Sequence, residues 1–381
     1  MKKKIAYVIT PIDFGGAERV SLNFLQHIDR FKYEIELFLL LRPWELNNYF
    51  LEKIAPYNFP STIIPVANKK KEDGIDPFRI IRCINSFYHN LKTGNFHLVH
   101  SHGYFADIIS IIPAKLLKIP HVSTCHGFIF DGSKLNIYNH LDIFALRFST
   151  KIIVVSNNLK KMLLDKSINE NKVKVLRNAV DINLQSLDEI CRAELRHKLH
   201  FNNDRFLIGY VGRLSKEKGI HYLLEAASKA INRNIKLSIA IIGDGPDKQF
   251  LIDRSKELKL DPYISFLGFQ QEPQQYFKCF DAFVLPSITE GTPMALLEAM
   301  ALGIPAIASS VGEIPKIIDH KINGILVSPA DINGLQIAIE ELYCNSDLRE
   351  SLSKAGKNTI NQEFSISNWI AEIQNIYNLI S

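Results

Sequence analysis

The sequence predicts an α/β protein of two domains, each a doubly wound parallel sheet, and three observations carry that expectation. The chain has 381 residues, too many for one ordinary core and suited to two domains of about 150–200 residues each. Short, almost continuously apolar runs end at polar or Gly-rich loops and alternate with stretches of helical periodicity, as expected of parallel strands covered on both faces. That rhythm then restarts past the middle of the chain, after the turn-rich segment LRNAVDINLQS at 176–186.

In chain order, KIAYVIT (4–10) reads as a first buried strand. PIDFGGAERVSLNFLQHI (11–28) follows it, with apolar residues at helical spacing. IELFLLL (35–41), FHLVHSH (96–102), HVSTCHG (121–127) and KIIVVSN (151–157) read as further strands of the same sheet. The second half offers FLIGYVGRL, KLSIAIIGDG, ISFLGF, DAFVLPS, IPAIASS and GILVSP, with helices between them. The tail FSISNWIAEIQNIYNLI (364–380) is an amphipathic helix with no strand after it. We place the first domain at 1–180, joined by the tail helix 364–381, and the second at 181–363. LRNAVDINLQS is the expected hinge between them. Ligands of such sheets bind at the carboxyl ends of the strands, where the Gly-rich loops lie.

Composition narrows the class. The net charge of +5 hides an asymmetry: residues 1–180 carry 25 Lys+Arg against 15 Asp+Glu, and residues 181–381 carry 20 against 25. A basic half suggests an anionic partner such as a phospholipid surface or a lipid-linked phosphate. We do not expect nucleic acid, because no basic stripe interleaved with aromatics and no binding module of that kind appears. Five scattered cysteines (Cys83, Cys125, Cys191, Cys279, Cys344), never spaced CxxC, argue against a disulfide framework or zinc site and for a reducing compartment. The start MKKKIAYVIT lacks an export-length apolar core, and IISIIPAKLLKI is too short and too broken to span a bilayer. The expected location is cytoplasmic, either free or peripheral on the cytoplasmic face of the inner membrane.

The densest chemical signal is TEGTPMALLEAMALGIPAIAS. From Pro293 to Ala308 every residue is apolar or Gly except Glu298, and a carboxylate in such a run needs donors to accept from. Thr292 reads as an N-cap with Pro293 at the first helical position, leaving outward-facing amides that form an anion site. Glu290 lies just before that start. A diphosphate flanked by two hydroxyl-rich rings would satisfy all three features.

Arg213 and Lys218 in VGRLSKEKGI lie past a strand and before a helix. There Arg can fork onto phosphate oxygens and Lys can add a point charge; Lys216 reads as solvated. Gly15 and Gly16 open a helix after the first strand and allow close backbone approach to a phosphate, although the full GxGxxG spacing is absent. His126 ends a strand beside Gly127 and suits a hydrogen bond to a sugar hydroxyl or leaving group. His100 and His102 share a strand face, but no third ligand stands at obvious spacing. We therefore expect no metal and read them as loop-shaping or acceptor-side groups. GDGP (243–246) reads as a structural turn, and FLGFQQ, which contains Gln270, as a loop that sets backbone against a nucleobase.

Together these blocks resemble the family-4 glycosyltransferases of the GT-B fold. The match is GGAER near the start, HG at 126–127, NAVD at 178–181, VGRLSKEKG, GDGP, FLG, and EGTPMALLEAMALGIPAIAS with its E-x7-E spacing, and it runs nearly end to end. The resemblance implies two Rossmann-like domains facing across a deep cleft, with the last helix crossing back to the N-terminal domain. It implies retaining, metal-free transfer of a hexose or N-acetylhexosamine from a nucleotide sugar, a UDP-sugar before a GDP-sugar. The donor is the substrate and no cofactor is needed. The acceptor would be a saccharide or a polyprenyl-linked lipid in surface polysaccharide or glycolipid synthesis. By the same resemblance, Arg213 and Lys218 hold the diphosphate and Gly16 approaches it. Glu298 accepts from the ribose, Glu290 and His126 contact the sugar, and Gln270, Gly291, Thr292 and Pro293 complete the donor positions. Ala179 departs from the commoner NGVD. Other readings are a sugar-nucleotide epimerase or hydrolase of the same fold, a non-catalytic nucleotide-sugar-binding protein, and a nicotinamide oxidoreductase, which the missing GxGxxG disfavours.

Overall fold

The structure is a computed structural model that describes residues 2–11, 15–42, 45, 48–66, 78–127, 133–181, 192–199 and 201–380. It divides into two compact units, Met1–Asn178 with Ile366–Ser381, and Ala179–Ser365. Residues 182–186 of the expected hinge lie outside the described residues, as does Cys191.

The N-terminal unit is built on seven parallel strands: β1 (Lys3–Ile9), β2 (Tyr33–Leu41), β3 (Ser61–Pro65), β4 (Leu98–His102), β5 (His121–Cys125), β6 (Lys151–Val154) and β7 (Val173–Val175). Their spatial order is β3-β2-β1-β4-β5-β6-β7, so the chain reverses direction between β1 and β4. Helices α1 (Gly16–His27), α2 (Tyr49–Ile54), α3 (Phe78–Thr93), α4 (Tyr104–Leu116), α5 (Ser133–Leu146) and α6 (Asn157–Asp165) make the crossovers. β4 and β5 are buried along their whole length although they carry His, Ser and Thr, and those side chains are paired inside the unit, as in His100 with Thr124 and Ser123 with Asp107. The sequence reading names five of the seven strands. It misses β3 and β7, the two edges, because alternate residues of Ser61–Pro65 are exposed and β7 is three residues long.

The C-terminal unit carries β8 (Phe206–Val211), β9 (Leu237–Ile242), β10 (Ile264–Gly268), β11 (Ala282–Leu285), β12 (Ala306–Ser309) and β13 (Ile325–Val327), in the order β10-β9-β8-β11-β12-β13. Helices α7 (Arg192–Lys198), α8 (Ile220–Asn232), α9 (Lys248–Glu257), α10 (Gln274–Phe277), α11 (Met294–Ala301), α12 (Ile332–Cys344) and α13 (Ser346–Glu363) flank it. At the amino end of this sheet, Asp281 pairs with Arg196 at 2.6 Å and accepts from the Leu207 amide at 2.7 Å. A half-buried charge is thereby satisfied by both a side chain and the backbone.

The last helix, α14 (Ile366–Ile380), belongs to the N-terminal unit. Its buried face, Ile366, Trp369, Ile370, Ile373, Ile376 and Tyr377, follows the 3–4-residue spacing of an amphipathic helix. Tyr377 packs edge-on against Tyr33 and Phe24, and its hydroxyl meets His100 Nδ1. Trp369 packs edge-on to Phe24. The helix covers the end of α1 and the outer face of β1, β2 and β4. A strandless amphipathic tail would otherwise leave that apolar face in water.

Candidate active site

In the C-terminal unit the chain reverses direction between β8 and β11, whose carboxyl ends release two loops side by side. The loop after β8 carries Arg213 and Lys218; the loop after β11 leads through Ser287 and Glu290 into α11. The Ile288 amide donates to the Glu217 carbonyl at 2.8 Å and ties the two together. Close packing at Gly219 fixes their separation. Its φ is +62°, and a Cβ there would stand 2.2 Å from the Pro286 carbonyl oxygen, so only glycine fits. GDGP supports the same loop from below: the Leu214 amide donates to the Asp244 carbonyl at 2.9 Å, and the Asp247 amide donates to the Leu214 carbonyl at 2.9 Å.

Glu290 is the centre of this arrangement. Its side chain is 6% exposed, and Oε1 accepts from Lys218 Nζ at 2.7 Å and from Ser287 Oγ at 2.7 Å. Both donors share that one oxygen, so Oε2 has no hydrogen-bond partner among the described residues. Lys218 is about a quarter exposed and has three N–H bonds, of which Glu290 takes one. Arg213 is exposed, and among the described residues no hydrogen bond or ion pair engages its guanidinium. The pair therefore presents a fixed carboxylate oxygen and two cations with donors to spare, a set that can take hydroxyls and phosphate oxygens together.

The start of α11 differs by one residue from the sequence expectation. Pro293, with extended ψ of 114°, is the N-cap and Met294 the first helical residue; Thr292 is buried one position earlier. The extended ψ of Pro293 keeps that residue out of the helix, so the cap position moves on to it and Thr292 falls one place outside. No side chain caps this end, which leaves first-turn amides for a ligand. Glu298 is 4% exposed and stands 3.5 Å from Gln274 Nε2 of α10. Gly291 is half-buried. Gln270 spans its own loop, donating to the Leu267 carbonyl at 2.7 Å and accepting from Tyr276 Oη at 2.7 Å. What that loop can offer a ligand is backbone.

In the N-terminal unit the corresponding reversal lies between β1 and β4. Gly16 opens α1, and a Cβ built on it meets nothing within 4 Å. Glycine is not required there by packing, so what it provides is free room at a helix start. The Gly15 amide donates to Glu18 Oε2 at 3.1 Å, the one half of a capping box that a glycine N-cap allows. His126, after β5, places Nε2 3.2 Å from His102 Nδ1, which also lies 3.3 Å from Ser21 Oγ. His102 Nε2 is buried without a hydrogen-bond partner. Burial lowers the His126 pKa to about 4; burial, reinforced by His100 and His126, holds His102 well below the ordinary imidazole range. Two neutral rings joined by one proton have linked tautomers, so His102 decides which nitrogen of His126 carries hydrogen. His100 is saturated by Tyr377 Oη and by Thr124 Oγ1 at 2.8 Å.

The two halves each match a family profile. "Glycosyl transferases group 1" matches residues 192–359 and "Glycosyltransferase Family 4" matches residues 14–184. The chain is a family-4 glycosyltransferase. Over 99% of its length and 97% of the relative's, this glycosyltransferase is 27% identical to the UDP-Gal:alpha-D-GlcNAc-diphosphoundecaprenol alpha-1,3-galactosyltransferase of Escherichia coli. It is 28% identical to the capsular polysaccharide biosynthesis glycosyltransferase CapM of Staphylococcus aureus, over 72% of this chain and 74% of that one. Among solved structures it resembles Anabaena HepE in complex with UDP-glucose, with a TM-score of 0.83, 18% identity, and 99% and 100% of the two chains covered. It also resembles the lipopolysaccharide outer core galactosyltransferase WaaB, with a TM-score of 0.74, 22% identity, and 99% and 100% covered. The fold is GT-B, with two parallel-sheet Rossmann-like units.

Sequence reasoning misses several residues that shape these sites. Ser287 shares Glu290 with Lys218, and a serine after a strand carries no special signal. Gly312 lies against the Glu290 backbone, where a Cβ would stand 1.9 Å from the Glu290 carbonyl oxygen at a φ of +58°. In the N-terminal unit, Asp107 and Asp142 form a buried carboxyl pair. Asp107 accepts from Ser101, from Ser123 at 2.8 Å and from protonated Asp142. Burial raises Asp107 to about 7 and Asp142 well above the carboxylate range. Each is the lone acid in an apolar helical run, the pattern that drew attention to Glu298.

Proposed function

We propose that this glycosyltransferase moves a hexose or N-acetylhexosamine, with retention and without a metal, from a UDP-sugar to a saccharide or lipid-linked acceptor in surface polysaccharide or glycolipid synthesis. The observation that carries the donor site is the Lys218–Glu290 pair. It holds a nearly buried carboxylate with one oxygen unpartnered, beside two cations and the uncapped start of α11. Arg213, Lys218 and the α11 amides would neutralise the departing diphosphate, Glu298 would accept from the ribose, and Glu290 from the donor sugar. His126 and Gly16 take the roles toward sugar and diphosphate that the family resemblance gives them.

In the step itself the bond from the anomeric carbon to the diphosphate oxygen breaks. The acceptor oxygen bonds that carbon on the same face, and the acceptor proton passes to a leaving phosphate oxygen. Fixed amides and cations supply the charge stabilisation without reorganising. The UDP preference draws support from the name of the Escherichia coli relative and from the UDP-glucose bound to HepE, and the lipid-linked acceptor from the diphosphoundecaprenol in the relative's name. A lipid-linked acceptor also implies work at an anionic membrane, which the basic first half favours.

A thermal-shift panel of UDP, GDP, ADP, UDP-glucose, UDP-galactose, UDP-N-acetylglucosamine and GDP-mannose, with and without EDTA, tests the donor. Binding to the folded state raises stability with the logarithm of ligand over Kd. A shift confined to uridine nucleotides and indifferent to EDTA is expected. A shift confined to guanosine nucleotides, or one abolished by EDTA, refutes that part of the proposal. Anomeric configuration of the transferred sugar by NMR tests retention.

A further inference from the structure

α5 and the turn that follows it bury one side and carry exposed apolar residues on the other. Asn139, Asp142, Ile143 and Leu146 point into the unit and are buried. Ile137, Leu141, Phe144 and Phe148, spaced four, three and four residues apart, form a stripe on the opposite side. α4 packs alongside α5 and exposes Ile112 and Leu116, and its Lys115 reaches Phe148 of the stripe. All six are between 42% and 68% exposed. An exposed apolar stripe of this kind, on a helix whose other side is already packed, marks a protein or membrane interaction surface. The stripe spans about 17 Å at 1.5 Å per residue.

The two helices that carry it, with the turns after them, expose charge of one sign. Across residues 104–150 the only carboxylates among the described residues are Asp107 and Asp142, and both are buried. Lys115, Lys118 and Arg147 are exposed. The Lys115 ammonium lies 4.0 Å above the Phe148 ring, its stem along the apolar surface and its charge at the rim. A protein partner of ordinary composition would call for charges of both signs on this rim, whereas a surface of anionic headgroups over acyl chains calls for cations alone around an apolar centre.

We propose that the α4–α5 face docks the enzyme on anionic lipid, with Leu116, Leu141, Phe144 and Phe148 entering the acyl boundary and the lysine and arginine rim engaging headgroups. This deepens the proposed lipid-linked acceptor, and it replaces a diffuse basic half with a defined face whose grip is partly apolar. It rests on that proposed function for its purpose only, since vesicle binding is measured without any sugar or acceptor.

The test is co-sedimentation of the full chain with phosphatidylcholine vesicles, with and without phosphatidylglycerol, at low and high salt. The variants are Leu141→Ser/Phe144→Ser, Lys115→Glu/Lys118→Glu and, as a control, Ile322→Ser, an equally exposed apolar residue of the C-terminal unit. Wild type is expected to bind phosphatidylglycerol vesicles and to keep part of that binding at high salt. The serine pair is expected to lose about tenfold or more of the partition coefficient from the apolar area withdrawn. The charge-reversal pair is expected to lose the phosphatidylglycerol preference, and Ile322→Ser to match wild type. An unchanged thermal midpoint in every variant shows that the fold persists. Wild type that ignores phosphatidylglycerol vesicles, or a serine pair that binds as wild type does, overturns the proposal. A concentration-dependent dimer in sedimentation velocity that the serine pair abolishes, without vesicle binding, overturns it in favour of a second copy of the chain.

Discussion

Lys218→Ala separates a phosphate-binding lysine from one that merely satisfies Glu290. In the structure Lys218 Nζ lies 2.7 Å from Glu290 Oε1, with Lys218 24% and Glu290 6% exposed. Removing the cation leaves a nearly buried carboxylate with Ser287 as its remaining donor to Oε1. Breaking a fully buried pair costs about 3–5 kcal/mol, and the partial exposure of Lys218 brings the expected loss to about 2 kcal/mol. Glu290→Gln keeps an acceptor for both donors and removes the charge, so in the double variant the losses fall short of their sum by about 1–2 kcal/mol.

Donor binding then discriminates. A lysine that also donates to phosphate contributes a charge-assisted bond of about 1.5–3 kcal/mol, so Lys218→Ala weakens UDP binding by about 10–100-fold. With Glu290 assigned by the proposal to the sugar and not the nucleotide, Glu290→Gln is expected to leave the UDP Kd within about threefold while transfer collapses. Urea unfolding measures the first quantity and isothermal titration with UDP the second. A Lys218→Ala enzyme that loses the stability yet binds UDP as wild type does would refute the assignment. Equal loss of UDP affinity in Glu290→Gln would show that Glu290 serves only to hold the lysine.

Glu298→Ala is expected to weaken UDP binding by about tenfold or more through loss of the ribose acceptor, read by the same titration, and Glu298→Gln by less. His126→Ala is expected to lower turnover about 100-fold with little change in UDP affinity. In His102→Gln, the ¹⁵N shifts of His126 should report a changed tautomer population even where folding is intact. Asp142→Asn tests the carboxyl pair through pH. Both acids are raised when folded, so their contribution is complete below the ordinary carboxylate pKa of 3.8 and is lost as pH rises through about 7 for Asp107 and higher for Asp142. The depressed His126 and His121 act oppositely, losing stability as pH falls from 6.5 through about 4 and about 3. Above pH 6.5 the carboxyls alone remain. Wild type should then lose about 1.4 kcal/mol per pH unit for each proton retained, whereas Asp142→Asn, still a donor to Asp107, should show a shallower slope in denaturant titrations. An unchanged slope would mean that Asp142 is ionised in the native state.

What was legible in the sequence follows from which physical constraints leave one-dimensional traces. Strands buried on both faces, such as residues 5–9 of β1 and Leu237–Ile242, are runs dominated by apolar residues and are legible directly. The edges, Ser61–Pro65 and Val173–Val175, alternate or are too short to show a period. Arg213, Lys218, Glu290 and Glu298 stood out because each charge interrupts a pattern, a strand end or an apolar helix. Partnerships left no such trace. Nothing local says that Lys218 meets a carboxylate 72 residues away, that Ser287 donates to the same oxygen, or that Gly312 must be glycine because Glu290 backbone fills the space of its Cβ.

The lone acid in an apolar helix is the instructive case, since three of them obey one rule and divide into two outcomes. Glu298 lies in a helix that begins uncapped at the carboxyl end of a sheet, where the chain reverses its direction across the strands. Asp107 and Asp142 lie in helices that pack on each other, and they satisfy each other with a proton and two serine hydroxyls. Burial forces every such carboxylate to find donors, and that much is visible in sequence. Which donors the protein supplies depends on what the helix packs against: Gln274 of α10 for Glu298, and serines of β4 and β5 with a second carboxyl for Asp107. Those neighbours are set by strand order, a property of pairing that no single run of residues encodes.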